Sequence, residues 1–269
     1  MNVHGANILV LKLGLGLAGL CLAVLAVPLA AQQPADHITL GVAAGDAHDL
    51  RTALQHFQAA LDQDSASYEA NWRGALTLLT LGEQIPDASK SPERDSLYAQ
   101  AEHYARRAVA ADPAGADGHF ALAAAVGRAS LTMGKKARIR RAAVIRNEAL
   151  RTLALNPRHD GAYHILGRWN AEIMRTSGLS RFFAKNFLGA GVFNQASWGK
   201  ATYNMEKAVQ LDPDRIYHHL ELAEIYADRK RLADARRQLQ LVDSLPAREV
   251  MDSVYKRDAA ALQRRLGKR

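Results

Sequence analysis

The chain reads as an all-α solenoid of about five helical hairpins closed by a C-terminal capping helix, and three observations predict this. First, one pattern recurs. Ala53, Phe57, Ala60 and Leu61 lead to Ser65, Ala101, Ala105, Ala108 and Val109 lead to Pro113, and Ala201, Met205, Ala208 and Val209 lead to Pro213. Each set is a small residue, an apolar one four on, a small one three further and a turn residue five later. This spacing lines one helical face with small side chains, so a second helix can come close. Second, Leu40-Gly41 and Leu222-Ala223 stand twelve residues ahead of Ala53 and Ala235. Each such pair supplies a partner helix with its own small contact point, in a unit of about 34 residues. Third, no segment alternates with period two, so no sheet is expected.

Residues 1–31 are of another kind. Lys12 precedes an uncharged run, Leu13 to Ala31, that ends in Pro28-Leu29-Ala30-Ala31 before polar sequence. The pattern is that of a signal peptide cut after Ala31. An uncleaved membrane anchor is the alternative, since about 20 apolar residues span a bilayer. An exported, periplasmic or cell-envelope protein is expected. Cys21 is the only cysteine, and Leu20 stands before it where a lipoprotein needs a small residue. After cleavage no thiol chemistry remains. Gly14, Gly16 and Gly19 match a dinucleotide fingerprint in form, but no strand precedes them.

Residues 32–115 hold the first two units. Leu40, Gly41 and Ala44 line the first helix of unit one, Gly45-Asp46 make its turn, and Ala53, Phe57 and Ala60 line its second helix. In unit two, Trp72, Ala75 and Leu79 mark the first helix, a polar insert from Glu83 to Asp95 follows, and Ala101, Ala105 and Ala108 mark the second. Residues 116–246 hold three more. Unit three has Phe120, Leu122, Ala123 and Val126, then a long helix from Lys135 to the Asn156-Pro157 stop. Unit four opens with Tyr163, Leu166 and Gly167 and carries an insert over 175–197 before the helix Trp198 to Leu211. Unit five has Leu220, Leu222 and Ala223, then Ala235 and Leu239. In 247–269, Val250, Val254, Ala261 and Leu262 predict a capping helix with a basic tail.

This grammar resembles the tetratricopeptide repeat. From unit three onward a narrower likeness appears. Gly134-Lys135-Lys136-Ala137-Arg138-Ile139-Arg140-Arg141 precedes Leu155-Asn156-Pro157. His164-Ile165-Leu166-Gly167-Arg168-Trp169, Phe182-Phe183-Ala184-Lys185 and Ala196-Ser197-Trp198 follow, before Leu211-Asp212-Pro213. The order resembles the regulator of microtubule dynamics family and its bacterial relatives over about half the chain, Ala116 to Pro246. Animal members associate with microtubules or mitochondrial membranes, and a tetratricopeptide domain of one is implicated in moving phospholipid. For an exported chain the resemblance implies partner binding or lipid binding.

Three candidate sites follow. The first helices should line a groove through Trp72, Phe120, His164, Arg168, Leu220 and Glu224, suited to an unidentified protein or peptide; Arg168 meets either a ligand anion or Glu172, four residues on. The insert holds Phe182, Phe183, Phe187 and Phe193, four of six Phe. It is extra core that folds back and plugs the solenoid's hollow, an apolar lid over a groove for an acyl chain or apolar peptide, or a membrane-surface or dimer contact. Residues 1–131 carry 8 Lys and Arg against 13 Asp and Glu, whereas 132–269 carry 27 against 14. Lys135, Arg138 and Arg141 on the long helix are either a solvated face or a contact for anionic phospholipid. That helix has no interleaved aromatics, so nucleic acid is not expected. Scattered His, the lack of His-Glu-x-x-His or paired Cys, and Ser residues without a nucleophile elbow argue against a metal, a cofactor and an enzyme. Oligomeric state stays open.

Overall fold

The computed structural model describes residues 33–86, 90–131, 133–176 and 191–267. The run over 1–31, and with it the signal-peptide expectation, lies outside the described residues. Residues 32–269 form one compact unit. Among the described residues there are eleven α-helices and no strand. They are α1 (Pro34–Asp46), α2 (Leu50–Gln63), α3 (Tyr68–Glu83), α4 (Pro92–Ala111), α5 (Ala116–Leu131), α6 (Lys135–Leu155), α7 (Asp160–Arg175), α8 (Trp198–Leu211), α9 (Ile216–Asp228), α10 (Leu232–Ser244) and α11 (Asp252–Gly267). A short 3-10 turn, Gly191–Gln195, precedes α8. Successive helices pair as α1/α2, α3/α4, α5/α6, α7/α8 and α9/α10, each pair packs on the next, and α11 closes the last pair. This is the predicted tetratricopeptide solenoid.

Small residues sit where the pattern requires them. Ala53, Ala101, Ala201 and Ala235 are 0% exposed. Gly41 faces the Phe57 ring so closely that an added Cβ would stand 2.6 Å from it. Gly167 occupies the same slot in hairpin four, where a Cβ would lie 2.9 Å from Met205 Cε and 3.2 Å from the Met205 backbone nitrogen. Close packing leaves no room for growth there.

The turns repeat as well. Asp64, Asp112, Asn156 and Asp212 each end a second helix, the backbone N–H of each bonding four residues back at 2.7–3.0 Å. The Asp64, Asp112 and Asn156 side chains then accept from the N–H two residues on, at 3.0, 2.9 and 3.0 Å. The acidic or amide residue therefore stops the helix, and the residue after it, proline at 113, 157 and 213 and serine at 65, shapes the turn. Six residues past the turn position, Asn71, His119 and His219 bond back to the carbonyls of Ser65, Pro113 and Pro213 at 3.1, 3.0 and 2.8 Å. Two of the scattered histidines are thus turn staples.

Three sequence expectations shift. The first turn lies after Asp46, at His48 with φ 63°, not at Gly45-Asp46. The insert of unit two is shorter than expected. Pro92 is the first residue of α4, where its missing N–H costs nothing, and the Ser91 hydroxyl caps Arg94 N at 3.2 Å. The cap begins at Asp252, whose carboxylate accepts from Arg248 N and Glu249 N at 2.7 Å each. Its buried face is Met251, Tyr255, Ala259, Leu262 and Leu266, while Ala261 is exposed.

Gly167→Leu should lower stability by about 1–3 kcal/mol or more. Gly127, with nothing within 4 Å of an added Cβ, should gain roughly 0.5–1 kcal/mol as Gly127→Ala within α5. Paired urea unfolding curves check both, and an unchanged midpoint for Gly167→Leu contradicts the packing.

Candidate functional site

The first helices of the hairpins share one face. Glu83 of α3 and Arg128 of α5 lie within electrostatic reach of Tyr217 on α9 and Tyr255 on α11. The first helices therefore present one shared face, the inner face of the stack. At its N-terminal end this inner face is apolar. Ala35, Ile38, Thr39, Val42, Ala43 and Asp46 of α1, with Glu69 of α3, line an open trough of about 480 Å³, apolar except for its two carboxylates and one hydroxyl. Trp72 is half-buried beside it, with the Arg73 guanidinium 4.4 Å from its ring. Phe120 is half-buried as well and leans on the His159 ring, 4.4 Å between centroids.

Toward the C-terminal end the face becomes charged. Arg128 reaches Glu83 at 2.5 Å. Arg168 donates to the Tyr217 hydroxyl and lies 3.2 Å from Glu221. Its partner is therefore across the face on α9, not Glu172 along its own helix. Glu172 instead pairs with Arg175 at 2.7 Å, and Arg175 also reaches Asp228 at 2.8 Å and Glu224 at 3.3 Å. Burial and the charge of Glu221 push the Glu224 carboxyl up to about 7, with Arg175 and Arg168 opposing. Burial also pushes the Tyr217 phenol up to about 12 despite Arg168, so it stays a neutral hydroxyl. Tyr217 stacks on Tyr255 of the cap, 4.3 Å apart and 7° from parallel.

A second network lies at the starts of α7 and α9. Asp160 takes the His218 Nε2–H at 2.9 Å and Arg215 at 3.0 Å. Burial would raise the Asp160 carboxyl, but the His218 hydrogen bond and the Arg215 charge hold it well below the usual carboxylate range. His164 Nδ1 is 2.8 Å from His218 Nδ1. With His218 Nε2 donating to a carboxylate, neutral His218 must accept at Nδ1, so His164 carries its proton on Nδ1. His164 Nε2 is then a bare lone pair, buried and without a hydrogen-bond partner among the described residues. Burial first, then the repulsion that protons on both His164 and His218 would meet, and the Arg168 charge, hold His164 neutral, well below the ordinary histidine range.

Of the expected groove residues, Arg168 and Glu224 stand together on the inner face. His164 is 6% exposed and lies beneath Arg168, its ring 4.4 Å from that of Tyr217. Leu220 is corrected. It is 4% exposed within the C-terminal core, because α11 packs on α9 and covers that side of the helix. Tyr217 and Glu221 present to the face in its place. Phe182, Phe183 and Phe187 lie outside the described residues. Phe193 is half-buried, edge-on to Trp169 at 6.4 Å and 79°. On α6, Arg138 is exposed, but Arg141 is taken up by Ser130 at 3.0 Å and by Glu102. The Lys135 side chain lies outside the described residues. Among the described residues, no group of three or more His, Cys, Asp or Glu is placed to hold a metal, and no helix is long and apolar enough to cross a membrane.

The buried neutral state of His164 sets a pH dependence. Below about 6.5 the unfolded chain takes a proton at His164 that the native state refuses, so this residue's contribution falls as pH drops. Glu224 and Glu249, both raised, slope the other way, but they are common to wild type and variant and cancel in a difference. The stability of wild type relative to His164→Gln should therefore decline by up to about 1.4 kcal/mol per pH unit below 6.5. Urea titrations from pH 7.5 to 5.5 check this, and a constant difference contradicts a neutral His164.

The fold matches solved structures of tetratricopeptide proteins. One, a thermophilic protein of Thermus thermophilus, aligns at TM-score 0.61 and 20% identity over 85% of this chain and 99% of that one. Pseudomonas aeruginosa PilF aligns at TM-score 0.50 and 16% identity over 85% and 87%. At these identities the likeness is one of fold. No curated protein matches the chain. The sequence profile described as Regulator of microtubule dynamics protein 1-3 matches residues 39–267, a wider span than the likeness read from residues 116–246. The chain belongs to the Regulator of microtubule dynamics protein 1-3 family.

Proposed function

We propose that this protein is a non-catalytic binding and assembly module, exported to the cell envelope, that holds a protein or peptide on the inner face of its helical stack. One observation carries the reading: the inner face combines an open trough floored by the apolar side chains of α1, with Asp46 and Glu69 at its edge, with a charged strip on α5, α7 and α9. A surface of that kind offers apolar anchoring and polar register along one line, as recognition of an extended segment needs. The run over 1–31, with its small residues before Gln32, supports export.

A second reading, lipid binding, is favoured by one feature on another surface. A cavity of about 160 Å³ between α6, α7 and α8 is lined by Arg146 and Lys200, by Leu150, Leu166 and Trp169, and by the amides of Asn170, Gln195 and Asn204. Anionic headgroups would suit it. Arg138 could add to such a contact, whereas Arg141 is committed to Glu102.

Affinity capture from envelope extract tests the first reading. Proteins retained by wild type should fall about tenfold or more with Val42→Asp plus Trp72→Ala, since loss of an aromatic anchor costs about 2 kcal/mol. Equal retention by both contradicts it. The N-terminal residue of the mature protein should be Gln32, and an intact 1–31 segment on a cytoplasmic protein contradicts export. Flotation with anionic and neutral liposomes separates the readings, because no preference for anionic vesicles removes the lipid role.

A further inference from the structure

The charged half of the inner face holds more carboxylate than it can satisfy. Arg128 serves Glu83 and Arg168 serves Glu221, while Arg175 alone serves Glu172, Glu224 and Asp228. Among the described residues, five carboxylates thus face three guanidinium groups, in a chain whose net charge is +8. The imbalance is sharpest on α9. Glu221 is 6% exposed, and one of its oxygens meets Arg168. The other, Oε2, is buried with no hydrogen-bond partner among the described residues. Glu224 follows one turn on, its side chain 36% exposed at the mouth of the site. Its carboxyl, pushed up to about 7 by burial and by Glu221, reports the same surplus of negative charge. The orphaned Glu221 Oε2 is an acceptor, so an occupant has to bring donors. A buried acceptor left unmade is costly, and a cation with several N–H groups relieves both the charge and the hydrogen-bond deficit. An acidic occupant would have to compete with carboxylates for guanidinium groups already paired.

We infer that the inner face binds an extended peptide segment in which a lysine or arginine adjoins an apolar run. The cationic head sits at Glu224 with Glu221 behind it, and the apolar side chains lie toward Phe120, Trp72 and the trough on α1. This rests on the reading of the inner face as a peptide site and names the chemistry of its partner.

Random dodecapeptides displayed on phage, panned on the full chain and in parallel on Glu224→Gln, test it. Peptides selected on wild type should carry Lys or Arg beside apolar residues. A synthetic selected peptide with that residue changed to norleucine should bind wild type about tenfold more weakly by calorimetry, and Glu224→Gln less than about twofold more weakly. Glu224 is exposed enough that its amide should not disturb the fold, and a circular dichroism melt confirms that. Selected peptides without a cation, or a norleucine peptide that binds wild type undiminished, overturn the cation site and leave the peptide groove standing. Selection of no peptide above background on wild type removes both.

Discussion

Where α7 crosses α8, the Cα of Gly167 faces the backbone nitrogen and side chain of Met205, with no space for even a methyl group between them. In the first hairpin, Gly41 meets the Phe57 ring in the same slot. A larger residue at either site would wedge the paired helices apart, and every later hairpin would be displaced with them. Each hairpin leaves an apolar flank that only its neighbour can cover, so stability is a sum of contacts between neighbours. The inner face follows from this stacking. The first helices lie side by side because their second helices hold them there, and residues 49 to 58 positions apart in sequence can then bond, as Arg168 does with Tyr217 and Asp160 with His218.

The charged strip on that face is poorly explained by stability alone. Arg168 and Glu221 are largely withdrawn from water, and the desolvation of a buried pair commonly offsets its attraction. An apolar pair of similar volume would serve the core as well. The network does fix orientation. Tyr217 is held by Arg168 and by the stacked ring of Tyr255, so α9 and the cap keep one register. The relay from Asp160 through His218 fixes the tautomer of His164 and leaves its lone pair unfilled. Rigid, partly unsatisfied groups of this sort are expected where a partner completes the set.

Much of the architecture was legible because its cause is local. Alanine at 53, 101, 201 and 235 is a packing requirement written directly into residue type, and all four are fully buried. Turn chemistry was harder to read. Asp64, Asp112 and Asp212 end their helices before any proline acts, while His48 takes a left-handed conformation that no glycine announces. The cap was displaced by a residue or more because Asp252 sets its start through two backbone hydrogen bonds, a signal weaker in sequence than its apolar spacing. The site was half legible. Repeat register puts Arg168 and Glu224 on the inner face, where they also stand in the structure. Leu220 does not, because it is buried in the C-terminal core that α9 forms with the cap helix. Arg141 looked like a surface charge, but its partner Glu102 sits 39 residues away on another hairpin. Such pairings depend on tertiary geometry and leave no trace in local spacing.

The account stands on close approach at small residues, and nuclear Overhauser spectroscopy of protein labelled at methionine methyls reads that approach directly. The Met205 methyl should show a cross-peak to the Gly167 α-protons, since an atom built on Gly167 would lie 2.9 Å from Met205 Cε. A Met205 methyl that is assigned, yet gives cross-peaks to solvent-exposed residues and none to Gly167, would contradict the nested hairpins and with them the inner face.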